Sequence, residues 1–339
     1  MEMRRNSSID IMRFVGILFI ILAHVLPSSS TLFQLRTFDV SLMIFVSGLA
    51  YADRKMEAYP QFVWRRLKRL LVPVYLFLIL YFLVNWLLSA CGIFFMPETE
   101  KIIGTFLLID PNIGYVWVIR IFLTIMLVTP LLMRIESTIK NNVLFGLLIT
   151  FWLVAQYYLI LWLLPLKPGI FINDYILYTT GYAVLFLLGL RMMKRTSVSV
   201  QISFFAVLLV AMVCLAIEMA AERGSWLKMQ WYKYPPQTYY LVWGALVSLL
   251  FWTCRKWWSG FMDKKWINFI GQNTIWIYLW HIPFVEFMNK SFPELHWGIR
   301  YAVVCGGAIG VYLLQYWVVQ RIASRDKERK YKLLKYLKG

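Results

Sequence analysis

At 339 residues, with 60% hydrophobic, 18% aromatic and 15% charged side chains, the chain is too apolar for a soluble domain and long enough for about ten spans of ~20 residues. Its net charge of +18 does not mark a nucleic-acid partner, because the basic residues fall in alternate loops between apolar runs, where membrane topology accounts for them. The four cysteines, Cys91, Cys214, Cys254 and Cys305, are scattered along the chain, which gives neither a disulfide framework nor metal-ligand spacing.

Apolar windows predict spans near residues 9–26, 38–52, 70–95, 114–133, 143–163, 175–190, 199–220, 238–254, 267–288 and 297–320. The fold class expected is an all-α polytopic membrane protein of about ten transmembrane helices. With a cytoplasmic N-terminus, the inner segments hold about 25 Lys and Arg against about 8 in the outer loops, so both termini are expected in the cytoplasm. The first apolar stretch lacks a small-residue cleavage site and is expected to remain in the mature protein. Residues 1–320 read as one transmembrane domain. Residues 321–339 read as a basic cytoplasmic tail whose Tyr331, Leu333, Leu334, Tyr336 and Leu337 suit an amphipathic helix on anionic membrane lipids.

In the first span, Arg13 and His24 stand eleven residues apart, which returns them to within ~20° of one helix face and about 16 Å apart along the axis. Ionisable groups inside a membrane usually face a cavity and mark a site. The plainer reading is that Arg13 snorkels to the cytoplasmic surface and His24 bonds a neighbouring helix. The second span closes on Ser47-Gly48, where glycine permits close approach and serine can donate a hydrogen bond, although small residues in membrane helices more often serve packing. The loop that follows carries Arg65, Arg66, Lys68 and Arg69. Guanidinium groups match phosphate oxygens in bidentate fashion, while positive-inside anchoring explains the same residues.

The fourth span holds Trp117 and Arg120, and an outer loop holds Lys233-Tyr234-Pro235-Pro236-Gln237-Thr238-Tyr239-Tyr240. Arg120 is costly to bury without a partner, and the proline pair with flanking tyrosines offers a stiff aromatic platform of the kind that stacks on sugars. Interfacial aromatic belts account equally for the tyrosines. The ninth span carries a second intramembrane histidine, His281, before Pro283. Counted from the cytoplasmic ends of their spans, His24 and His281 both lie about 21 to 23 Å deep, which suggests a shared level in the outer half. Glu218, Glu286 and His296 fall near outer helix ends, where solvation is the expected state.

These residues resemble the acyltransferase-3 family of integral membrane acyltransferases, which O-acetylate surface polysaccharides and related glycans. The likeness rests on Asp10 and Arg13 followed by His24, on Phe45-Val46-Ser47-Gly48, and on Arg65-Arg66 through Arg69 to Pro73 and Tyr75. Gly181 to Gly189 with Phe186, Tyr234-Pro235-Pro236, and Gly271 through Tyr278, Leu279 and His281 extend it over essentially the whole chain. Where the family often has a His or Pro shortly before the fourth-span Trp, this chain has Tyr115 and Val116.

The resemblance implies acyl transfer, with acetyl-CoA or another acyl-CoA as co-substrate and no metal, onto a hydroxyl of a glycan or lipid-linked saccharide in a bacterial inner (plasma) membrane. Arg65, Arg66 and Arg69 would bind the CoA phosphates, and the thioester arm would pass Arg13 to reach His24, acting as base or as transient acyl carrier. His281 would orient or bind the acceptor, Ser47 would steady the acyl carbonyl, and Trp117, Arg120, Tyr234 and Tyr239 would contact the acceptor. Oligomeric state is left open. A transporter or flippase for a lipid-linked saccharide is the alternative, since intramembrane charges also mark substrate pathways. A non-catalytic partner in polysaccharide export is a third reading.

Overall fold

The structure is a computed structural model that describes residues 6–54, 57–92, 96–325 and 334–338. All regular structure among the described residues is helical: α1 (Ser7–Ala23), α2 (Thr31–Leu35), α3 (Asp39–Tyr51), α4 (Tyr59–Ala90), α5 (Thr99–Leu107), α6 (Trp117–Thr138), α7 (Asn142–Leu163), α8 (Tyr178–Lys194), α9 (Val198–Arg223), α10 (Thr238–Thr253), α11 (Arg255–Met262), α12 (Lys265–Gln272), α13 (Thr274–Ser291), α14 (Trp297–Arg325) and α15 (Leu334–Lys338). Local chemistry sets several of these ends. The Asn6 side chain accepts from Ser8 N–H to start α1, Asn141 and Ser197 do the same for α7 and α9, and Gly224 at φ +68° closes α9.

Among the described residues, seven stretches are long and apolar enough to cross a membrane: Thr31–Tyr51, Tyr59–Ala90, Trp117–Thr138, Asn142–Leu166, Phe171–Lys194, Val198–Arg223 and Trp297–Ser324. Three of the ten expected spans are not among them. The first, α1, has only 17 residues, α10 is apolar but has 16, and α13 carries His281, Glu286, Asn289 and Lys290 within its 18.

Two other sequence boundaries shift. The third span does not begin at residue 70: α4 starts at Tyr59, where Pro60 occupies its first turn, so Arg65, Lys68 and Arg69 lie on the helix rather than in a loop. The single ninth helix expected over 267–288 is two, α12 and α13, interrupted at Asn273. The break follows Gly271, whose missing Cβ lets its backbone abut the Asp10 carbonyl oxygen of α1. Measured along α13, His281 is seven residues, roughly 10 Å, from the helix start, which removes the residue count that set it level with His24.

The chain divides into two compact units, 1–57 with 124–271, and 58–123 with 272–339. In the first unit α3, α8 and α10 are buried along most of their length, whereas α7 and α9 keep large apolar side chains such as Phe151, Trp162, Val207 and Ile217 exposed. An outward apolar face is what a lipid-facing helix needs, and the exposed hydroxyls of Thr150 and Ser203 on these helices donate to the Gly146 and Ser199 carbonyls of their own helix. The second unit gathers α4, α5, the start of α6 and α13 to α15. Its α4 buries Phe77, Leu78, Tyr81 and Phe82 while exposing Ile79, Leu80, Leu83, Val84, Trp86 and Leu87, a helical alternation of one protein face and one lipid face.

Part of the expected amphipathic tail, including Tyr331 and Leu333, lies outside the described residues. Residues 321–325 continue α14, and the short α15 is held within the second unit. The carbonyls of Tyr336, Leu337 and Lys338 accept from the Trp276 indole (2.9 Å), the Gln315 amide (2.8 Å) and the Tyr312 hydroxyl (2.7 Å).

Candidate functional site

In the first unit, α1 brings Asp10 and Arg13 together as an ion pair at 3.4 Å, with Arg13 partly exposed and Asp10 buried. One helical turn separates them, so the carboxylate offsets the cost of placing a guanidinium in an otherwise apolar helix. His24 stands at the C-cap of α1 rather than inside the helix, its backbone N–H donating to Ile21 at 3.1 Å, and it is partly exposed. The α1 and α3 helices cross at Gly16 and run antiparallel. A Cβ on Gly16 would lie 2.7 Å from Met43 Sδ, and Phe19 meets Phe38 with ring centroids 4.9 Å apart, so later residues of α1 meet earlier residues of α3. Arg13 and Ser47 each lie about one turn from that crossing, toward the same end of the pair. The Ser47 hydroxyl donates to the Met43 carbonyl at 2.9 Å, so its proton already has an acceptor within its own helix.

The tyrosines of the 233–240 segment separate in role. Tyr234 is exposed at 47%, whereas Tyr239 is buried, its hydroxyl donating to the Trp226 carbonyl at 2.5 Å and its ring set edge-on to Tyr232. The proline turn packs on Gly181, whose Cβ would fall 2.8 Å from Pro236 Cγ, and the buried Gln156 amide ties the Leu177 and Pro236 carbonyls. Of the two tyrosines expected to form the platform, Tyr234 is exposed with Lys233 Nζ 5.6 Å from its ring centroid, and Tyr239 serves the packing of the loop.

In the second unit, Arg65 and Arg69 are exposed one turn apart on α4, and Arg66 packs over the Phe62 ring at 5.8 Å. Arg120 is almost completely buried and donates to the Leu108 carbonyl at 3.0 Å. It thereby meets the C-terminal end of α5, where carbonyls concentrate partial negative charge. Trp117 opens α6 and is partly buried. His281 is fully buried, and its Nδ1 bonds the Tyr278 carbonyl. A carbonyl can only accept, so Nδ1 carries a proton, and in the neutral ring Nε2 then holds the lone pair. The Tyr115 ring meets the imidazole edge-on at 5.8 Å, and the Tyr278 hydroxyl donates to the Tyr115 carbonyl.

Three clusters escaped the sequence reading. Near the start of α3, buried Arg36 and Lys233 contact the buried Asp39 at 2.7 and 3.3 Å. On α6, fully buried Glu136 meets Arg195 at 2.9 Å, Arg191 at 3.4 Å and Lys194 at 3.8 Å, while Arg191 also donates to the Ile139 and Lys140 carbonyls. Glu286, expected to be solvated at a helix end, is instead partly buried and accepts from the Tyr81 hydroxyl at 2.5 Å. Lys233–Asp39 spans 194 residues and Tyr81–Glu286 spans 205, so neither contact has a local sequence signal, whereas Arg36–Asp39 is an i, i+3 pair. Glu218 and His296 are exposed, as expected. Among the described residues no group of three or more His, Cys, Asp or Glu side chains gathers as a metal cluster would.

No curated protein and no solved structure matches the chain. The acyltransferase-3 family model, described as an acyltransferase domain, matches residues 6–323. That range takes in Asp10, Arg13, His24, Ser47, Arg65, Arg66, Arg69 and His281, and runs through both units. The chain belongs to the acyltransferase-3 family and, with its long apolar helices, is an integral membrane acyltransferase.

Proposed function

We propose that the protein moves an acetyl group from cytoplasmic acetyl-CoA to a hydroxyl of a cell-surface polysaccharide or lipid-linked saccharide in a bacterial inner membrane. The observation that carries this reading is α1 itself: a helix apolar along its length except for the Asp10–Arg13 pair, ending on His24, inside a chain that matches the family model almost end to end. Both termini cytoplasmic and about ten membrane spans fit the alternation of basic loops.

His24 supplies the base. As the acceptor oxygen attacks the thioester carbonyl, the imidazole takes the hydroxyl proton, the C–S bond breaks, and the proton passes to the departing CoA sulfur. The variant in which the imidazole first carries the acetyl group uses the same residue and the same net balance. Arg13 shares the His24 face of α1 about 16 Å away, a length comparable to the arm that links CoA phosphates to the thioester. Arg65, Arg66 and Arg69 bind those phosphates in bidentate fashion. Ser47 helps the acyl carbonyl only if its hydroxyl turns away from Met43. His281, with Nδ1–H fixed, offers Nε2 to an acceptor hydroxyl. Trp117 and Tyr234 supply apolar faces for a sugar, while Arg120 and Tyr239 act through the segments they hold.

Family membership favours chemistry over the transporter or flippase reading. The test is to incubate the purified protein in lipid nanodiscs with acetyl-labelled acetyl-CoA, with and without a total lipid-linked glycan extract. Acceptor-dependent CoA release with label in the glycan is expected. Glycan translocation without thioester consumption would overturn the proposal.

A further inference from the structure

The Glu286 carboxylate is a resource that the chemistry above does not use. It lies five residues beyond His281 on α13, partly buried, with Oε2 held at 2.5 Å by the Tyr81 hydroxyl of α4. Oε1 accepts from no described residue. Tyr81 itself is positioned rigidly: its ring stacks with Phe77 at 5.7 Å and meets Phe82 edge-on at 5.1 Å, while Phe77 packs edge-on against Trp280 of α13 at 5.5 Å. Tyr115, whose ring touches the His281 imidazole, is close enough to the carboxylate to feel its charge, as Tyr81 does. One carboxylate therefore stands beside a wall of aromatic rings that leads to His281, all within the second unit.

A charge placed in a partly desolvated site needs a reason, because simple packing would be served better by an apolar residue of the same size. Structural pairing with Tyr81 uses one oxygen and leaves the other open. Aromatic faces next to an oriented hydrogen-bond acceptor are the elements that bind a sugar ring, with its apolar faces and its rim of hydroxyl donors. The same negative charge rejects a ring that carries its own carboxylate.

We propose that Glu286, oriented by Tyr81, is an acceptor-positioning and specificity-determining residue: Oε1 takes a hydrogen bond from a sugar hydroxyl next to the one that reacts, and the site selects neutral saccharides over uronic acids. This rests on the acyltransferase reading but adds the acceptor's charge class and the residue that reads it.

The test uses the full chain in nanodiscs at pH 8 and two probes that differ only in a carboxylate, p-nitrophenyl β-glucoside and p-nitrophenyl β-glucuronide. Affinities are measured for wild type, Glu286→Gln and Tyr81→Phe, alongside label transfer from acetyl-CoA to a total lipid-linked glycan extract. Wild type is expected to bind the glucoside about tenfold more tightly than the glucuronide. Glu286→Gln should reduce that ratio to about threefold or less and raise the KM for the glycan, with the KM for acetyl-CoA unchanged. Tyr81→Phe, which keeps the ring and removes only the orienting donor, should move the ratio the same way by a smaller amount, and provides the reading if Glu286→Gln fails to fold. Equal wild-type affinities, no binding of either probe, or a ratio unaltered in both variants would overturn the inference while transfer to the glycan continues. Absence of transfer by wild type would instead sink the acyltransferase reading.

Discussion

Gly48 and Gly189 meet in a reciprocal backbone contact: a Cβ on Gly48 would run into the Phe186 carbonyl oxygen, and a Cβ on Gly189 into the Phe45 carbonyl oxygen. Both glycines belong to motifs singled out from the sequence, and both serve the close packing of α3 on α8. The neighbouring Leu190 and Leu49 amides lie against the same two positions, so the obstruction is backbone and cannot swing aside. Gly48→Ala and Gly189→Ala are each expected to cost about 1 to 3 kcal/mol or more, read as a loss of detergent-solubilised yield and a lower thermal midpoint. Gly260→Ala, where a Cβ meets nothing within 4 Å, serves as the control and should not destabilise.

Asp39 is shared by two buried cations, Arg36 and Lys233. Asp39→Asn removes the carboxylate that both contact and is expected to cost about 3 to 5 kcal/mol, whereas Lys233→Met leaves the Arg36–Asp39 pair intact and should cost less. The pH dependence follows from the lysine. Burial alone would push its pKa down, but the Asp39 carboxylate, with the Tyr234 and Tyr240 phenols, outweighs burial and holds it above the ordinary 10.5. A raised lysine contributes stability that is fully present below the unfolded pKa and is lost as pH rises through the folded one. The gap in thermal midpoint between wild type and Lys233→Met should therefore be constant up to about pH 10 and shrink above it. A gap that widens above pH 10.5 would contradict the pairing.

Arg65 and Arg69 are exposed on successive turns of α4, and removing an exposed arginine that only anchors a helix changes stability little. If they grip phosphates, the double variant Arg65→Ala with Arg69→Ala should raise the KM for acetyl-CoA about tenfold or more while kcat stays within about threefold, each charge-assisted bond contributing about 1.5 to 3 kcal/mol. Lysine at both positions should restore only part of the loss, because it keeps the charge but not the fork. Steady-state kinetics on the nanodisc-embedded variants measures both.

Helix content, the apolar class and the family were legible because they rest on composition and on short motifs whose spacing survives in one dimension. Asp10, Gly271 and Arg13 illustrate the point: the sequence flagged all three, and the structure adds that the Gly271 backbone rests on Asp10 while Asp10 pairs with Arg13. The break at Asn273 was hidden because Gly271-Gln272-Asn273 sits inside an apolar run that hydropathy reads as continuous. The early start of α4 was missed because charged residues 65–69 look like a loop to a hydropathy window, although a helix carries them as readily. The Glu286–Tyr81 contact and the contact of Lys233 with the Arg36–Asp39 pair join residues some two hundred positions apart, where no local period reaches.

The most direct measurement is acceptor-dependent CoA release by wild type and His24→Ala, each reconstituted in nanodiscs and matched for thermal midpoint. His24 caps α1 through its backbone N–H, a contact that alanine keeps, and matching the thermal midpoints separates loss of chemistry from loss of fold. A drop of about 10² to 10⁴ in turnover, with acetyl-CoA affinity unchanged, is the expected result for a positioned base. A folded His24→Ala protein that releases CoA at the wild-type rate would remove His24 from the chemistry.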